Sequence, residues 1–227
     1  MKKPNRYEET QAAGEFTPIE LGAHYMIIRS IAERNQDGTS IRTKNGVPMI
    51  KVFFDFAQND KQPNYFLNQY RNDFRPRENG KEKEWPFAGT AYIQIETDDG
   101  ACSPRFKAFT TSVERSNPGF TVGWAEDDSP DASKRWCEQF KNKMVGGVFQ
   151  EVLDVYDTGK GLKESKKRNL NRFCSVDKVP ELPVPDTYET QAHKSWKASG
   201  GLTTAAPDQQ GFMNIPDNVD GEELPFN

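Results

Sequence analysis

Val47-Pro-Met-Ile-Lys-Val-Phe-Phe-Asp-Phe-Ala57 decides the fold. Ile50, Val52, Phe54 and Phe56 fall at every second position, the period at which successive side chains of a strand leave on opposite faces. The stretch is therefore predicted as a strand, with these four in the core and Met49, Lys51, Phe53 and Asp55 on the other face. That second face sets a cation beside an aromatic ring.

Residues 23–33 read as the preceding strand, and residues 35–46, rich in Asn, Asp, Gly, Ser and Thr, as the loop between them. After a turn at 59–63, residues 64–70 are predicted as a third strand. A charged, exposed loop over 71–84 and a short strand over 90–97 follow. Ser103-Pro104 then opens a helix, since a hydroxyl at the N-cap and proline at the first helical position suit the unpaired N–H groups there. Phe106, Phe109, Thr110 and Val113 give this helix one apolar stripe, and Asn117-Pro118-Gly119 stops it. Ser129-Pro130-Asp131 opens a second, with Ala132, Trp136 and Phe140 on one face.

Residues 144–156 read as a long strand in which Gly146-Gly147 suggests a bend or bulge. A turn at 157–161 leads to a returning strand over 170–176, and Pro180, Pro183 and Pro185 end the folded part. This order predicts a mainly β chain, an OB-fold-like five-stranded barrel with two helices inserted before the last β-hairpin. Residues 1–20 are expected as a flexible leader, 21–187 as the folded domain and 188–227 as a disordered acidic tail.

Composition bounds the chemistry. Hydrophobic residues make up 34% of the 227, so the core is small for the length, and 15 phenylalanines make much of it aromatic. No Lys or Arg follows Lys197, whereas Asp208, Asp217, Asp220, Glu222 and Glu223 do. Residues 198–227 thus carry −5 and residues 1–197 carry +1, which together give the net −4. Cys102, Cys137 and Cys174 are widely spaced and read as buried, reduced thiols, in keeping with a cytoplasmic protein. No apolar run suits a signal peptide or a membrane span.

Catalytic signatures are missing: there is no phosphate-binding glycine loop, no G-x-S-x-G and no H-E-x-x-H. Asp98-Asp99 and Asp127-Asp128 sit among turn residues and are expected to serve turns rather than metal. No cofactor is expected, and a non-enzymatic role follows.

The basic residues carry more. Lys160, Lys163, Lys166, Lys167, Arg168 and Arg172 crowd one stretch that holds a single acid, Glu164. In an OB-fold such a stretch would be a loop flanking the ligand groove. Cations there would draw in phosphates and release their counterions. Single-strand sites add exposed rings on which bases stack. The candidates are Phe53 beside Lys51; Tyr65, Phe66 and Tyr70 leading into Arg71; and Trp85. Alternation would turn only one of Tyr65 and Phe66 outward and does not say which. At the end of the tail, Glu222 and Glu223 could meet a basic rim on a partner protein while Leu224, Pro225 and Phe226 enter an apolar pocket.

That ending, Glu222-Glu223-Leu224-Pro225-Phe226, resembles the C-terminus of bacterial and phage single-stranded-DNA-binding proteins, which finish in acidic residues and a Pro-Phe tip. Here Asn227 follows the Phe, which in that family bears the terminal carboxylate itself. Over residues 13–187 the body is similar to a group of phage-encoded replication-associated proteins. The matching pieces are Ala13-Gly14-Glu15-Phe16, residues 50–57, Glu114-Arg-Ser-Asn-Pro-Gly119, Val145-Gly-Gly-Val-Phe149 and Val176-Asp177 with Pro180. The resemblance implies a phage or mobile-element origin and a role in replication or recombination. Single-stranded-DNA binding with recruitment of replication or recombination proteins is the expectation. The alternative is an adaptor or inhibitor that docks its tail on a host protein without touching DNA.

Overall fold

The computed structural model describes residues 2–3, 17–35, 37–73, 83–125, 127, 129–159 and 161–200. The predicted leader beyond these, Lys160 and the whole tail tip lie outside the described residues. The chain is mainly β, with six strands and four helices among them. They fall into two compact units, Met1–Gln150 with Arg168–Pro185, and Glu151–Lys167 with Asp186–Asn227.

In the first unit β1 (Gly22–Ala32) is paired antiparallel with β2 (Met49–Phe56), and β2 with β3 (Thr90–Gln94). On its other side β1 pairs with β4 (Met144–Asp157), which neighbours β5 (Leu162–Cys174). The order is β3-β2-β1-β4-β5, an open path: among the described residues no pairing joins β3 to β5. The mainly β class is as expected, while closure of the sheet into a five-stranded barrel is not seen among the described residues.

The core follows the alternation of β2. Ile50, Val52, Phe54 and Phe56 are fully buried, joined by Met26, Ile28, Phe109, Phe140 and Phe149. Each such side chain contributes ~1.5–3 kcal/mol of burial. Helix α2 (Pro104–Ser116) turns in Phe106, Phe109, Thr110 and Val113 as predicted, and α3 (Pro130–Glu138) turns in Ala132 and Trp136. Ser129 caps α3 by accepting from Ala132 N at 3.2 Å.

The predicted third strand is a helix, α1 (Tyr65–Asn72). Tertiary bonds decide this. Asn64, in the left-handed region at φ 53°, makes no side-chain cap. Asp55 of β2 caps α1 in its place, accepting from Phe66 N at 2.9 Å and Leu67 N at 3.3 Å. The pairing of β2 with β3 reaches only Phe53↔Thr90, and α1 with its flanks closes the edge beyond it. Asn64 N donates to Phe56 O at 3.1 Å, and Trp85 Nε1 donates to Phe54 O at 3.2 Å.

Gly146 and Gly147 make no bulge in β4, for their register with Tyr25 and His24 is unbroken. They are small because space is short. A Cβ on Gly147 would lie 2.2 Å from Met26 Cε, and one on Gly146 would lie 2.6 Å from Cys174 Sγ. The bulge is in β1 instead, where Ile28 faces Phe54 but Ser30 faces Phe53, leaving Arg29 as the extra residue. The inward set accordingly switches from Met26 and Ile28 to Ile31.

His24, fully buried, lies flat on Phe56 at 4.1 Å. Its Nδ1 meets Asp60 Oδ1 at 2.9 Å and its Nε2 meets Glu20 O at 2.8 Å. Burial alone would push the Asp60 carboxyl up, but His24 and the amides of Gln62 and Tyr25 hold it below the usual range. An unfolded aspartate titrates near ~3.9, so the unfolded chain takes up this proton first. The stabilisation is present above that pH and is lost as pH falls through the lower folded value. The thermal midpoint of the wild type is expected to drop more steeply below about pH 4 than that of Asp60→Asn, as read by circular dichroism.

The second unit contains the outer halves of β4 and β5, with β6 (Tyr188–Glu189) parallel to β4 and α4 (Gln191–Ala198) after it. Folded structure thus continues past the boundary expected at residue 187. Thr190 caps α4, accepting from His193 N at 3.2 Å, and donates to Asp154 Oδ1 at 3.1 Å. His193, 2% exposed, sits between Glu189 Oε1 at 2.6 Å and Glu164 Oε1 at 3.0 Å. The hydrogen bond from His193 holds the Glu189 carboxyl below its ordinary range. Of the thiols, Cys137 and Cys174 are buried, whereas Cys102 is exposed, contrary to expectation.

Candidate nucleic-acid interface

The outward face of β2 assembles the first candidates. Lys51 Nζ lies 5.0 Å from the centre of the Phe53 ring and 5.4 Å from that of Tyr92, its direct partner on β3. Such placements let a cation meet the negative face of a ring. From α1, Tyr70 brings its ring to 5.6 Å from Trp85, and Lys83 Nζ lies 4.7 Å over Tyr70. Trp85 is fixed by two donations from its indole N–H, to Phe54 O and to Gly89 O at 3.1 Å. Gly89 must lack a side chain for this, because a Cβ there would lie 2.6 Å from Trp85 Nε1.

These residues bound an open depression of about 230 Å³, lined by Arg29, Ser30, Phe53, Tyr70, Lys83 and Trp85, all of the first unit. Arg29 is there because of the bulge, which sets Arg29 and Ser30 together against Phe53. Its Nη2 donates to Asp55 Oδ2 at 3.0 Å and to Asn64 Oδ1 at 3.3 Å. Burial pushes the Asp55 carboxyl up, opposed by Arg29 and by the amides of Phe66 and Phe56. One buried carboxylate therefore ties the guanidinium on β1 to the helix that carries Tyr70.

Other expected contacts fare differently. Phe66 is fully buried against Phe54 and Phe56, and so offers no stacking face. Tyr65 is half-buried; its hydroxyl donates to Thr17 O at 2.8 Å, and burial pushes that hydroxyl up to about 12. Arg71 is exposed in the last turn of α1.

The expected basic loop is a strand. Residues 162–174 form β5, so Lys163, Lys166, Lys167, Arg168 and Arg172 alternate along an extended backbone rather than crowding a loop. Lysines on an outer strand also discourage edge-to-edge pairing, which accounts for part of the charge without a ligand. In the second unit, Lys167 bridges Asp154 at 2.9 Å, while Lys163 and Lys166 are exposed. In the first, Arg168 donates to Ile19 O and Arg172 is exposed. Lys160 and the tail residues Glu222, Glu223, Leu224, Pro225 and Phe226 lie outside the described residues.

Sequence reading missed Arg29, Lys83 and Tyr92. The change of inward spacing from Ile28 to Ile31 was a usable sign of the bulge. Trp124 was also passed over: it is 64% exposed, with its ring stacked 6.1 Å from Trp136. The acidic pairs serve turns where described, Asp99 accepting from Thr97 and Ala101 N, and Asp127 from Ser129 N. Among the described residues no group of three or more His, Cys, Asp or Glu could hold a metal. No helix there is long and apolar enough to cross a membrane.

No protein-family model matches the chain, and no curated protein matches it.

Proposed function

We propose that the chain binds single-stranded DNA without sequence specificity, stacking bases on aromatic side chains and drawing phosphates to nearby cations. One observation carries this. Phe53, Tyr70 and Trp85 come from three separate segments to one face, interleaved with Arg29, Lys51 and Lys83. Rings beside cations are what a flexible strand of alternating bases and phosphates requires. The element order adds an OB-like relationship to the proposal, with β2 as its binding strand. The role is non-enzymatic, in replication, recombination or repair of a phage or mobile element in a bacterial cytoplasm. The tail would recruit partner proteins through Glu222–Phe226, and a homo-oligomer is compatible with it.

The test is a titration of the full chain with fluorescent single-stranded DNA, duplex DNA and RNA oligomers at two salt concentrations. Tight binding of oligo-dT that weakens steeply with salt is the expected result. No binding of oligo-dT at low salt would falsify the proposal. One observation favours the adaptor reading instead: Lys167 and Arg168 of the basic run are already engaged within the protein. That reading is upheld if all three oligomers fail to bind.

A further inference from the structure

Stacking alone does not account for one wall of the depression. Arg29 is 31% exposed, and its guanidinium is held in place by Asp55, which is 0% exposed. Its Nε is buried and has no hydrogen-bond partner. That Nε is closed off by burial and Nη2 is taken by Asp55 and Asn64, so Nη1 is the donor left to the depression; a guanidinium donates only, and this wall therefore faces an acceptor. Beside it stand the Phe53, Tyr70 and Trp85 rings. The faces of rings are electronegative and suit a flat base better than they suit a phosphate. A volume of about 230 Å³ is below the ~300–1,000 Å³ of clefts that enclose larger ligands, which matches one base.

Bases differ in what they show a donor-only group. Guanine presents two adjacent acceptors, O6 and N7, whereas adenine sets its N6 donors beside N7. We infer that the depression is the seat for one nucleobase of the bound strand, and that Arg29 makes it prefer guanine over adenine. The inference rests on the single-strand reading above and deepens it, since the rest of the strand is held without regard to sequence.

The experiment uses the full chain and fluorescent 12-mers of abasic residues, either base-free or carrying one central guanine, adenine or 7-deazaguanine. With a single base present, the strand cannot slide another into the seat. Guanine is expected to tighten binding over the base-free 12-mer by about fivefold or more, the least that one stacked base supplies. It should exceed adenine by about fivefold or more, with 7-deazaguanine, which lacks N7, falling toward adenine. Arg29→Lys keeps a charge against Asp55 but loses the planar guanidinium, and should erase the guanine–adenine difference whatever it does to overall affinity; a difference of the wild-type size kept by the variant would overturn the role of Arg29. Equal binding of guanine and adenine by the wild type overturns the inference even if the variant does not fold. Should oligo-dT bind while no base improves on the abasic strand, the seat is wrong and the wider function stands. Should nothing bind, both fail.

Discussion

Asp55→Ala is expected to lower the unfolding free energy by about 3–5 kcal/mol, read from urea or thermal unfolding. The carboxylate is fully buried and serves two structures at once. Its oxygens accept from Phe66 N and Leu67 N, the first-turn amides of a helix whose own Asn64 makes no side-chain cap. Each buried amide left without an acceptor costs ~1–3 kcal/mol. Arg29 loses its anchor in the same step, though its partial exposure lets water recover some of that loss. Asp55→Asn keeps one acceptor oxygen and should cost less than alanine does. A cost for alanine below 1 kcal/mol would mean that the contacts of Phe66 hold α1 without the cap.

Phe53→Ala combined with Tyr70→Ala is expected to weaken oligo-dT binding by about 30-fold or more, since each stacked base is worth ~1–3 kcal/mol. Both rings are half-buried, so the fold should persist, and a matched thermal unfolding curve checks this. The salt dependence is expected to keep its slope, because Lys51 and Lys83 remain to meet phosphates. Loss of affinity with an unchanged slope is the signature of removed stacking rather than of unfolding. Unchanged affinity would move binding elsewhere, with the exposed Trp124 platform the next place to look.

How far the sequence could be read depended on how local the cause was. Strand β2 was legible because Ile50, Val52, Phe54 and Phe56 keep one period over a long enough run. The stripe of α2 was legible for the same reason. Helix α1 was not, because eight residues holding Tyr65, Phe66, Leu67 and Tyr70 satisfy either period. The deciding group, Asp55, lies on another element, and no local propensity reports it. The basic stretch of β5 shows no strand signal, because charged residues there mask the alternation of apolar and polar positions, although an outer strand tolerates charge well. Helix α4 left a trace in Thr190, with His193 three residues on, but proline punctuation nearby hid it. Of the candidate interface, Lys51, Phe53, Tyr70 and Trp85 were visible as residue types. What joins them, a bulge and a buried carboxylate, exists only in the fold.

The displaced register at Arg29 can also be counted as a letter inserted in a text. Striking out residue 29 would leave Ile28 inward, Ser30 outward and Ile31 inward, an unbroken strand with every later residue of β1 still facing its present side. The guanidinium is thus carried by a residue that the reading frame of the sheet does not require. A shortened β1 could keep its pairing with β2 and lose the means of telling one base from another.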